Sequence, residues 1–222
     1  MRVKTGTKQN NIKAVRKTKV IGITGGIGSG KSLVLDYIKA NYRSRILLTD
    51  EIGEEVVAPG GMCYSRLKQL LPKEAFDKKG YMDREAVSKL MYADPDLRQK
   101  MNDLIHPAVG VYLVTEIDKE KKHGLLDFVI IESALYDGSG FATLCNEVWS
   151  VNADQEVRKK RLMESRGYSE EKIDSIFASQ AGYDKMRKTL SVQIDNNGDS
   201  QKTYAQIDAQ MNRIKPGSKR DA

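Results

Sequence analysis

The feature that most constrains this chain is a glycine-rich loop between a short apolar run and a helical pattern. Residues 25–32 read Gly-Gly-Ile-Gly-Ser-Gly-Lys-Ser; they follow the run 20–24 and precede a segment of helical spacing from Leu33. Glycines let such a loop turn its backbone N–H groups inward, and the positive end of the following helix attracts an anion. The pattern predicts a strand, a phosphate-binding loop (residues 25–32, the phosphate loop) and a helix that starts near Lys31. A chance glycine turn followed by a lysine is the less favoured interpretation.

Two side chains at the end of the phosphate loop match the chemistry of a bound nucleotide. We expect Lys31 to reach the β- and γ-phosphates, and the Ser32 hydroxyl to hold the Mg²⁺ that bridges them. ATP and Mg²⁺ are therefore the predicted co-substrate and metal ion. The other residues of the loop are predicted to cradle the phosphates, namely Gly25, Gly26, Ile27, Gly28, Ser29 and Gly30.

Short apolar runs, most of them rich in Val and Ile, alternate with longer helical patterns. They cover residues 20–24, 45–49, 128–131, 148–151 and 191–194. This alternation is typical of an α/β fold in which a parallel sheet has helices on both faces. We predict a five-stranded parallel sheet flanked by helices, with its ligands beyond the carboxyl ends of the strands.

The spacing of the runs also predicts how the chain is divided. With 222 residues it is long enough for one substantial core that carries an insertion. Residues 57–126 separate the second run from the third, are mostly helical in pattern and predict a substrate-binding insert. The other predicted units are a basic tail (1–17), the nucleotide-binding core (18–56 and 127–214) with a helical lid (about 155–182), and a C-terminal tail (215–222).

The formal charge of +7 is concentrated at the N-terminus. The first 19 residues contain seven Lys or Arg and no acid, so the rest of the chain is neutral in formal charge. This distribution favours a solvated arm and disfavours nucleic acid as a partner. We find no secretory signal and no stretch apolar enough to span a membrane, and we interpret Cys63 and Cys145 as free thiols in a reducing cytoplasm.

Two carboxylates follow predicted strands at the expected ligand edge. The second strand of such a sheet commonly lies beside the first, so Asp50 is predicted to face the phosphate loop. A carboxylate there can accept the proton of an attacking hydroxyl. The alternative is that Asp50 caps a helix that begins at Glu51. Glu132, after the third run, is a further carboxylate within predicted reach of the magnesium site.

A dense cationic patch follows the fourth run. A solvated helix face and a set of cations that close over transferring phosphates remain equally good interpretations. The patch contains Arg158, Lys159, Lys160, Arg161 and Arg166.

The motifs also separate the classes of nucleotide-binding protein. The guanine-specific N-K-x-D signature is absent, and no apolar run ends in the paired acids expected of a hydrolytic ATPase. A small-molecule kinase is therefore favoured. The alternatives are a nucleotide-binding regulator without catalysis, a nucleic-acid module that uses the tail, and a kinase for nucleoside monophosphates or another small metabolite.

The combined motifs resemble those of the dephospho-coenzyme A (dephospho-CoA) kinase family. The run from Thr24 to Ser32 has the family's T-G-G-I-G-S-G-K-S form, and the segment 48–56 keeps the second aspartate of its D-A-D element as Asp50. Further family elements match Asp83-Arg84, Leu104-Ile105-His106-Pro107, Arg161, Ala178-Ser179-Gln180 and the segment 194–198. The resemblance covers residues 19 to about 211.

The resemblance implies a P-loop kinase fold and a set of site residues. It implies that Asn196 and Gly198 form the adenine-side loop, and that Lys31 and Arg161 neutralise the transferring phosphoryl group. Dephospho-CoA would lie across the insert and contact Arg84, His106 and Gln180. Its ribose 3′-hydroxyl, oriented by Asp50, would attack the γ-phosphate to give coenzyme A and ADP.

Some positions depart from the family pattern. The D-x-P-L-L-F-E element reads as residues 132–138 without its proline, which weakens the roles of Glu132 and Asp137 at the metal. The second lid arginine is out of register, and Arg166 is the nearest candidate. These differences indicate a divergent member of the family.

Overall fold

A five-stranded parallel sheet forms the centre of the fold, as the sequence predicts. The computed structural model describes residues 17–134 and 140–215, and its sheet is parallel throughout. Every predicted run coincides with a strand and differs from it by one residue at an end or at both ends. The strands of this sheet are β1 (Lys19–Thr24), β2 (Ser44–Leu48), β3 (Phe128–Glu132), β4 (Glu147–Asn152) and β5 (Val192–Asp195).

The prediction that the second strand lies beside the first is wrong. The strand order is β2-β3-β1-β4-β5, and Val129 of β3 pairs with both Val20 of β1 and Arg45 of β2. All five residues of β3 are buried, which suits a strand with a neighbour on each side. Four of the five residues of β2 are only partly buried, which suits the edge. The burial of each strand is therefore consistent with its place in the sheet, with β3 inside and β2 at the edge.

Helices cover both faces of the sheet. The helix that the phosphate-loop motif predicts does begin at Lys31. The helix predicted from the Asp94-Pro95 pair begins at Pro95, and its first turn is capped because Asp94 accepts a hydrogen bond of 2.9 Å from the Leu97 amide. In the described residues the α-helices are α1 (Lys31–Asn41), α2 (Thr49–Val57), α3 (Tyr64–Leu70), α4 (Arg84–Ala93), α5 (Pro95–His123), α6 (Phe141–Leu144), α7 (Gln155–Arg166), α8 (Glu170–Arg187) and α9 (Ser200–Ile214).

Alternate residues of the central strands pack into two separate hydrophobic cores. Val129 and Ile131 of β3 pack with buried residues of α2, α3, α4 and α5 on one face. Phe128 and Ile130 pack with residues of α1 and α9 on the other face. Because both faces are covered, the central strands are continuous apolar runs. Among residues 17–134 and 140–215, no helix has both the length and the apolar character to cross a bilayer.

The carboxyl ends of the strands bring the predicted ligand residues to one edge. The phosphate loop follows β1, Asp50 lies just after β2, and Glu132 ends β3. Asn196 comes directly after β5. Asp137 and nearly all of both predicted tails lie outside the described residues.

Candidate functional site

The phosphate loop has the backbone geometry of an anion cradle. Gly28 and Gly30 adopt φ angles of +76° and +89°, in the left-handed region that favours glycine. A Cβ atom on Gly25 would lie 2.6 Å from the carbonyl oxygen of Val151, and one on Gly30 would lie 2.1 Å from Nδ2 of Asn196. The loop is therefore packed too closely for side chains at these positions, and it leads directly into the positive end of α1.

Lys31 lies at the mouth of the loop and is largely buried. Its Nζ donates a hydrogen bond of 2.8 Å to the Gly25 carbonyl and is 3.6 Å from Oε1 of Glu132. Burial lowers the pKa of Lys31 and outweighs the opposing effect of Glu132. Burial also raises the pKa of Glu132, against the attraction of Lys31. The ammonium group is therefore held beside the loop by weak, exchangeable partners.

Asp50 is not a helix cap, contrary to the alternative drawn from the sequence. α2 begins at Thr49, so Asp50 is its second residue, and Leu48 occupies the cap position. The side chain is exposed and lines a large cleft. Its negative charge contributes to raising the pKa of Glu132. The Asp50 carboxylate is thus available to a ligand in the cleft.

Two arginines of the cationic patch point inward. Nε of Arg158 donates to the Ile27 carbonyl at 2.8 Å, and Nη2 of Arg161 donates to the Asn196 carbonyl at 2.8 Å. Within the described residues, Nη2 of Arg158 and Nη1 of Arg161 are buried and have no hydrogen-bond partner. By contrast, Lys160 and Arg166 are exposed. The patch therefore has an inward-pointing part and a solvated part, and a role of the inward arginines in phosphoryl transfer stays a prediction.

Asn196 supports the phosphate loop from below. It is 3% exposed, and its Nδ2 donates to the Ser29 carbonyl at 2.8 Å. Its Oδ1 accepts a hydrogen bond from the hydroxyl of Thr203 at 3.0 Å. Gly198 lies nearby in the same loop and is exposed, with open space where a Cβ atom would lie. The side chain of Asn196 is thus committed to the loop, while Gly198 leaves room at the surface.

The three residues assigned to the second substrate are not all in one place. Arg84 and His106 line the large cleft, where Arg84 pairs with Glu54. Gln180 instead accepts a hydrogen bond of 3.1 Å from the Ile27 amide of the phosphate loop. The structure therefore brings Arg84, His106 and Asp50 to the cleft and puts Gln180 on the nucleotide side.

The cleft is the second half of the site. Its volume is about 1360 Å³, and it opens between α2, α4, α5 and the segment 140–144. Most of its lining is apolar, and Asp50, Arg84 and His106 supply polar groups. Its apolar lining includes Tyr81, Met82, Val87, Met91, Met101, Ile105, Val109, Phe141 and Leu144. A long ligand with both polar and apolar parts fits such a surface.

Sequence reasoning missed two charged residues of α8, Asp184 and Arg187, of which Arg187 is buried. Asp184 pairs with Arg158 at 3.2 Å and also contacts Arg187, which is 1% exposed. The spacing of Gln180, Asp184 and Arg187 places all three on one face of α8. That spacing is the one signal in the sequence that could have pointed to them.

Comparison with known proteins agrees with this geometry. The family profile described as "Dephospho-CoA kinase" matches residues 19–202. The chain is 34% identical over 182 residues to a dephospho-CoA kinase of Staphylococcus epidermidis, covering 82% of this chain and 88% of that protein. It is 29% identical over 187 residues to the Shouchella clausii dephospho-CoA kinase, covering 84% and 94%.

Solved structures show the same architecture. A Thermus thermophilus protein of known crystal structure superposes with a TM-score of 0.73 at 26% identity, covering 90% of this chain and 99% of its own. The dephospho-CoA kinase of Campylobacter jejuni superposes with a TM-score of 0.58 at 15% identity, covering 90% and 98%. This last similarity concerns the fold alone.

Proposed function

The chain belongs to the dephospho-CoA kinase family, and from that premise we propose how its residues carry out the reaction. The reaction transfers the γ-phosphoryl group of ATP to the ribose 3′-hydroxyl of dephospho-CoA, giving coenzyme A and ADP, the last step of coenzyme A biosynthesis. The observation that carries the proposal is the position of Lys31. It lies between the phosphate loop and Glu132, at the strand edge that also carries Asp50.

ATP binds with its phosphates on residues 25–32, whose inward amides and helix end favour an anion. In the free enzyme Lys31 donates to the Gly25 carbonyl, and phosphate oxygens are better acceptors for a desolvated ammonium group. Asn196 fixes the loop through Ser29, and Gly198 leaves open space for the adenine side. Gln180 belongs to this half, since it already binds the Ile27 amide.

Dephospho-CoA occupies the cleft, with its ribose towards Asp50. Arg84 and His106 are exposed polar groups in a mostly apolar wall, so they are positioned for the phosphates and the base of the acceptor. The Asp50 carboxylate orients the 3′-hydroxyl and accepts its proton as the oxygen attacks phosphorus in line. The freed proton leaves on Asp50, and the phosphorus–oxygen bond to ADP breaks.

Charge neutralisation comes from Lys31 and Arg161. The buried Nη1 of Arg161 has no partner among the described residues, and it lies 3.6 Å from the position of a Cβ on Gly30. Both cations are therefore next to the phosphates and act on the charge of the transferring group. We propose that α7 and α8, within the predicted lid at 155–182, close over the nucleotide and exclude water, and that residues 57–126 form the acceptor domain.

The residues at the phosphate loop also fit Mg²⁺. Ser32 is exposed in the first turn of α1, and Glu132 and Asp50 supply carboxylates at the end of β3 and just after β2, at the same edge of the sheet. Within residues 17–134 and 140–215 there is no cluster of three or more His, Cys, Asp or Glu suited to a metal. Such a sparse donor set is what Mg²⁺ uses when phosphates and water complete its shell. When bound, the ion neutralises charge between the β- and γ-phosphates.

A coupled assay of ADP release tests the proposal. The purified protein is given ATP with dephospho-CoA, AMP, CMP or a sugar as acceptor, and the product is identified by mass spectrometry. We expect turnover with dephospho-CoA and formation of coenzyme A. Turnover with another acceptor alone would instead identify a different small-molecule kinase. We also propose a cytoplasmic location, supported by the free thiols of Cys63 and Cys145.

A further inference from the structure

Two buried arginines share one carboxylate beside the phosphate loop. Arg158 is 8% exposed and Arg187 is 1% exposed. Oδ2 of Asp184 accepts a hydrogen bond of 3.2 Å from Nη1 of Arg158, and Oδ1 of Asp184 accepts one from Nη2 of Arg187. Each carboxylate oxygen therefore serves one arginine. We call Arg158, Asp184 and Arg187 the Arg–Asp–Arg triad; its two arginines are buried, and the Asp184 side chain is 30% exposed.

The Arg–Asp–Arg triad joins the phosphate loop to the end of β3. At one end, Nε of Arg158 donates to the Ile27 carbonyl of the phosphate loop at 2.8 Å. At the other end, Nη1 of Arg187 lies 3.5 Å from the Ala134 carbonyl, just beyond β3. Asp184 is the only member that contacts both other members of the triad. Its position therefore decides where both guanidinium groups lie.

A second residue of α8 supports the same loop. Gln180 lies one helical turn before Asp184 and accepts a hydrogen bond of 3.1 Å from the Ile27 amide. α8 thus holds Ile27 by its amide through Gln180 and by its carbonyl through Arg158. Asp184 is therefore linked to the phosphate loop through Arg158.

The charge of the Arg–Asp–Arg triad points to an anionic ligand. One carboxylate does not balance two guanidinium groups, and burial makes the excess positive charge costly. Burial and the proximity of Arg158 lower the pKa of Arg187 to about 10. Nη2 of Arg158 has no hydrogen-bond partner among the described residues, and a Cβ on Gly26 would lie 2.4 Å from it. A phosphate on the loop would supply both the missing charge and the missing acceptor.

We propose that Asp184 is a positioning residue for phosphoryl transfer. It acts through Arg158 and Arg187 and holds one guanidinium at the phosphate loop and the other at the end of β3. Their remaining N–H groups then face the phosphates of bound ATP. The role of Asp184 in phosphoryl transfer rests on the proposed function. Its role in ATP binding rests on the geometry of the phosphate loop alone.

Asp184→Asn tests the assignment, because it keeps the shape of the side chain and removes its charge. We expect kcat to fall on the order of 10- to 100-fold with little change in KM for dephospho-CoA, because misplaced groups lose transition-state contacts. We also expect the dissociation constant for ATP, measured by equilibrium titration, to rise about tenfold through weaker charge-assisted bonds. Asp174→Asn is the matched control, since it removes an exposed carboxylate of α8 that pairs with Lys159.

A double-mutant cycle separates positioning from a structural role. If Asp184 acts through the arginines, Asp184→Asn adds little to Arg158→Lys or to Arg187→Lys. Additive losses in kcat would overturn the proposal. So would an Asp184→Asn variant that melts at a lower temperature but keeps the ATP affinity and kcat of the wild type, since that result identifies an ion pair that only anchors α8.

The test remains decisive in two further cases. If the wild-type protein binds ATP and does not phosphorylate dephospho-CoA, the proposed function fails, while the ATP dissociation constants of wild type and Asp184→Asn still decide the role of Asp184. If Asp184→Asn does not fold, Asp184→Glu takes its place in both measurements. Its additional methylene displaces the carboxylate from both arginines, so we expect losses in the same direction, and unchanged values overturn the proposal.

Discussion

Side chains from three distant segments brace the phosphate loop, whereas the acceptor cleft is broad and open. Arg158, Gln180 and Asn196 each bind a backbone group of the loop. In the cleft, Arg84 is 79% exposed at its side chain and Asp50 is also exposed. The phosphate loop, the proposed nucleotide half, is therefore fixed by the protein itself, whereas Arg84 and Asp50 in the proposed acceptor half are exposed and open to a ligand. Substitutions should consequently affect kcat and ATP binding on one side, and acceptor binding on the other.

Replacing Lys31 is expected to have the largest effect. Lys31→Met removes the ammonium group at the loop, and we expect kcat to fall on the order of 10³-fold because a preorganised charge at the transferring group is lost. ADP release with saturating substrates measures the loss. Lys39→Met, which changes an exposed lysine of the same helix, should keep wild-type kcat. A loss below about tenfold for Lys31→Met would remove this residue from the mechanism.

Asp50→Asn tests whether the Asp50 carboxylate acts on the acceptor hydroxyl next to the bound ATP. We expect kcat to fall on the order of 10²-fold, because the acceptor hydroxyl loses its proton acceptor, while the dissociation constant for ATP is unchanged. Single-turnover measurements with ATP and dephospho-CoA give the rate of transfer. Glu51→Gln, at the next exposed position of α2, is the control. Wild-type kcat in Asp50→Asn would show that this carboxylate is not the proton acceptor of the transfer step.

Gly30→Ala tests the preorganisation of the loop itself. The φ angle of +89° and the 2.1 Å approach to Asn196 leave no room for a methyl group. We expect the ATP dissociation constant to rise about tenfold and the free energy of unfolding to fall by about 1–3 kcal/mol, as measured by calorimetry and urea titration. Gly182→Ala is the matched control, because open space surrounds that glycine in α8. Equal stability and ATP affinity in the two variants would contradict the geometry.

Arg84→Ala should have the smallest effect and should act only on the acceptor side. Since its guanidinium is mostly exposed and already paired with Glu54, we expect KM for dephospho-CoA to rise about threefold with kcat unchanged. Initial rates over a range of acceptor concentrations measure this. Lys89→Ala removes an exposed ion pair on the same helix and should leave KM unaltered. A raised KM for ATP in Arg84→Ala would break the division between the two halves.

The features that the sequence predicts well depend on residues that are close together in the chain. The phosphate loop, the start of α1 at Lys31 and the five strands depend on neighbouring residues and on apolar runs, so they can be read directly. The order of the strands depends on which run is most completely buried. That property belongs to the whole sheet, and for this reason the pairing of β1 with β2 was predicted wrongly.

The residues of the candidate site also fall into two groups: those that one sequence motif predicts, and those that only tertiary packing brings together. Lys31 and Ser32 lie within one motif, whereas Arg158 and Asp184 are 26 residues apart and meet only when α7 packs against α8. Nothing in the composition distinguishes the inward-pointing Arg158 from its exposed basic neighbours. Gln180 was assigned to the acceptor by resemblance, and its bond to Ile27 depends on tertiary packing. The roles of these residues in catalysis stay predictions.

The position of β3 between β1 and β2 sets the distance between the strand that precedes the phosphate loop and the strand that precedes Asp50. Neighbouring strands of a sheet are about 4.8 Å apart, so the donor strand and the strand before Asp50 are separated by about 10 Å. That gap is wide enough for a phosphorus atom and an incoming alcohol oxygen to meet above the end of β3. A sheet in which β1 and β2 were direct neighbours would close it. In the proposed reaction the intervening strand is thus a spacer, and hydrogen bonds within the sheet set the distance between the two reacting molecules.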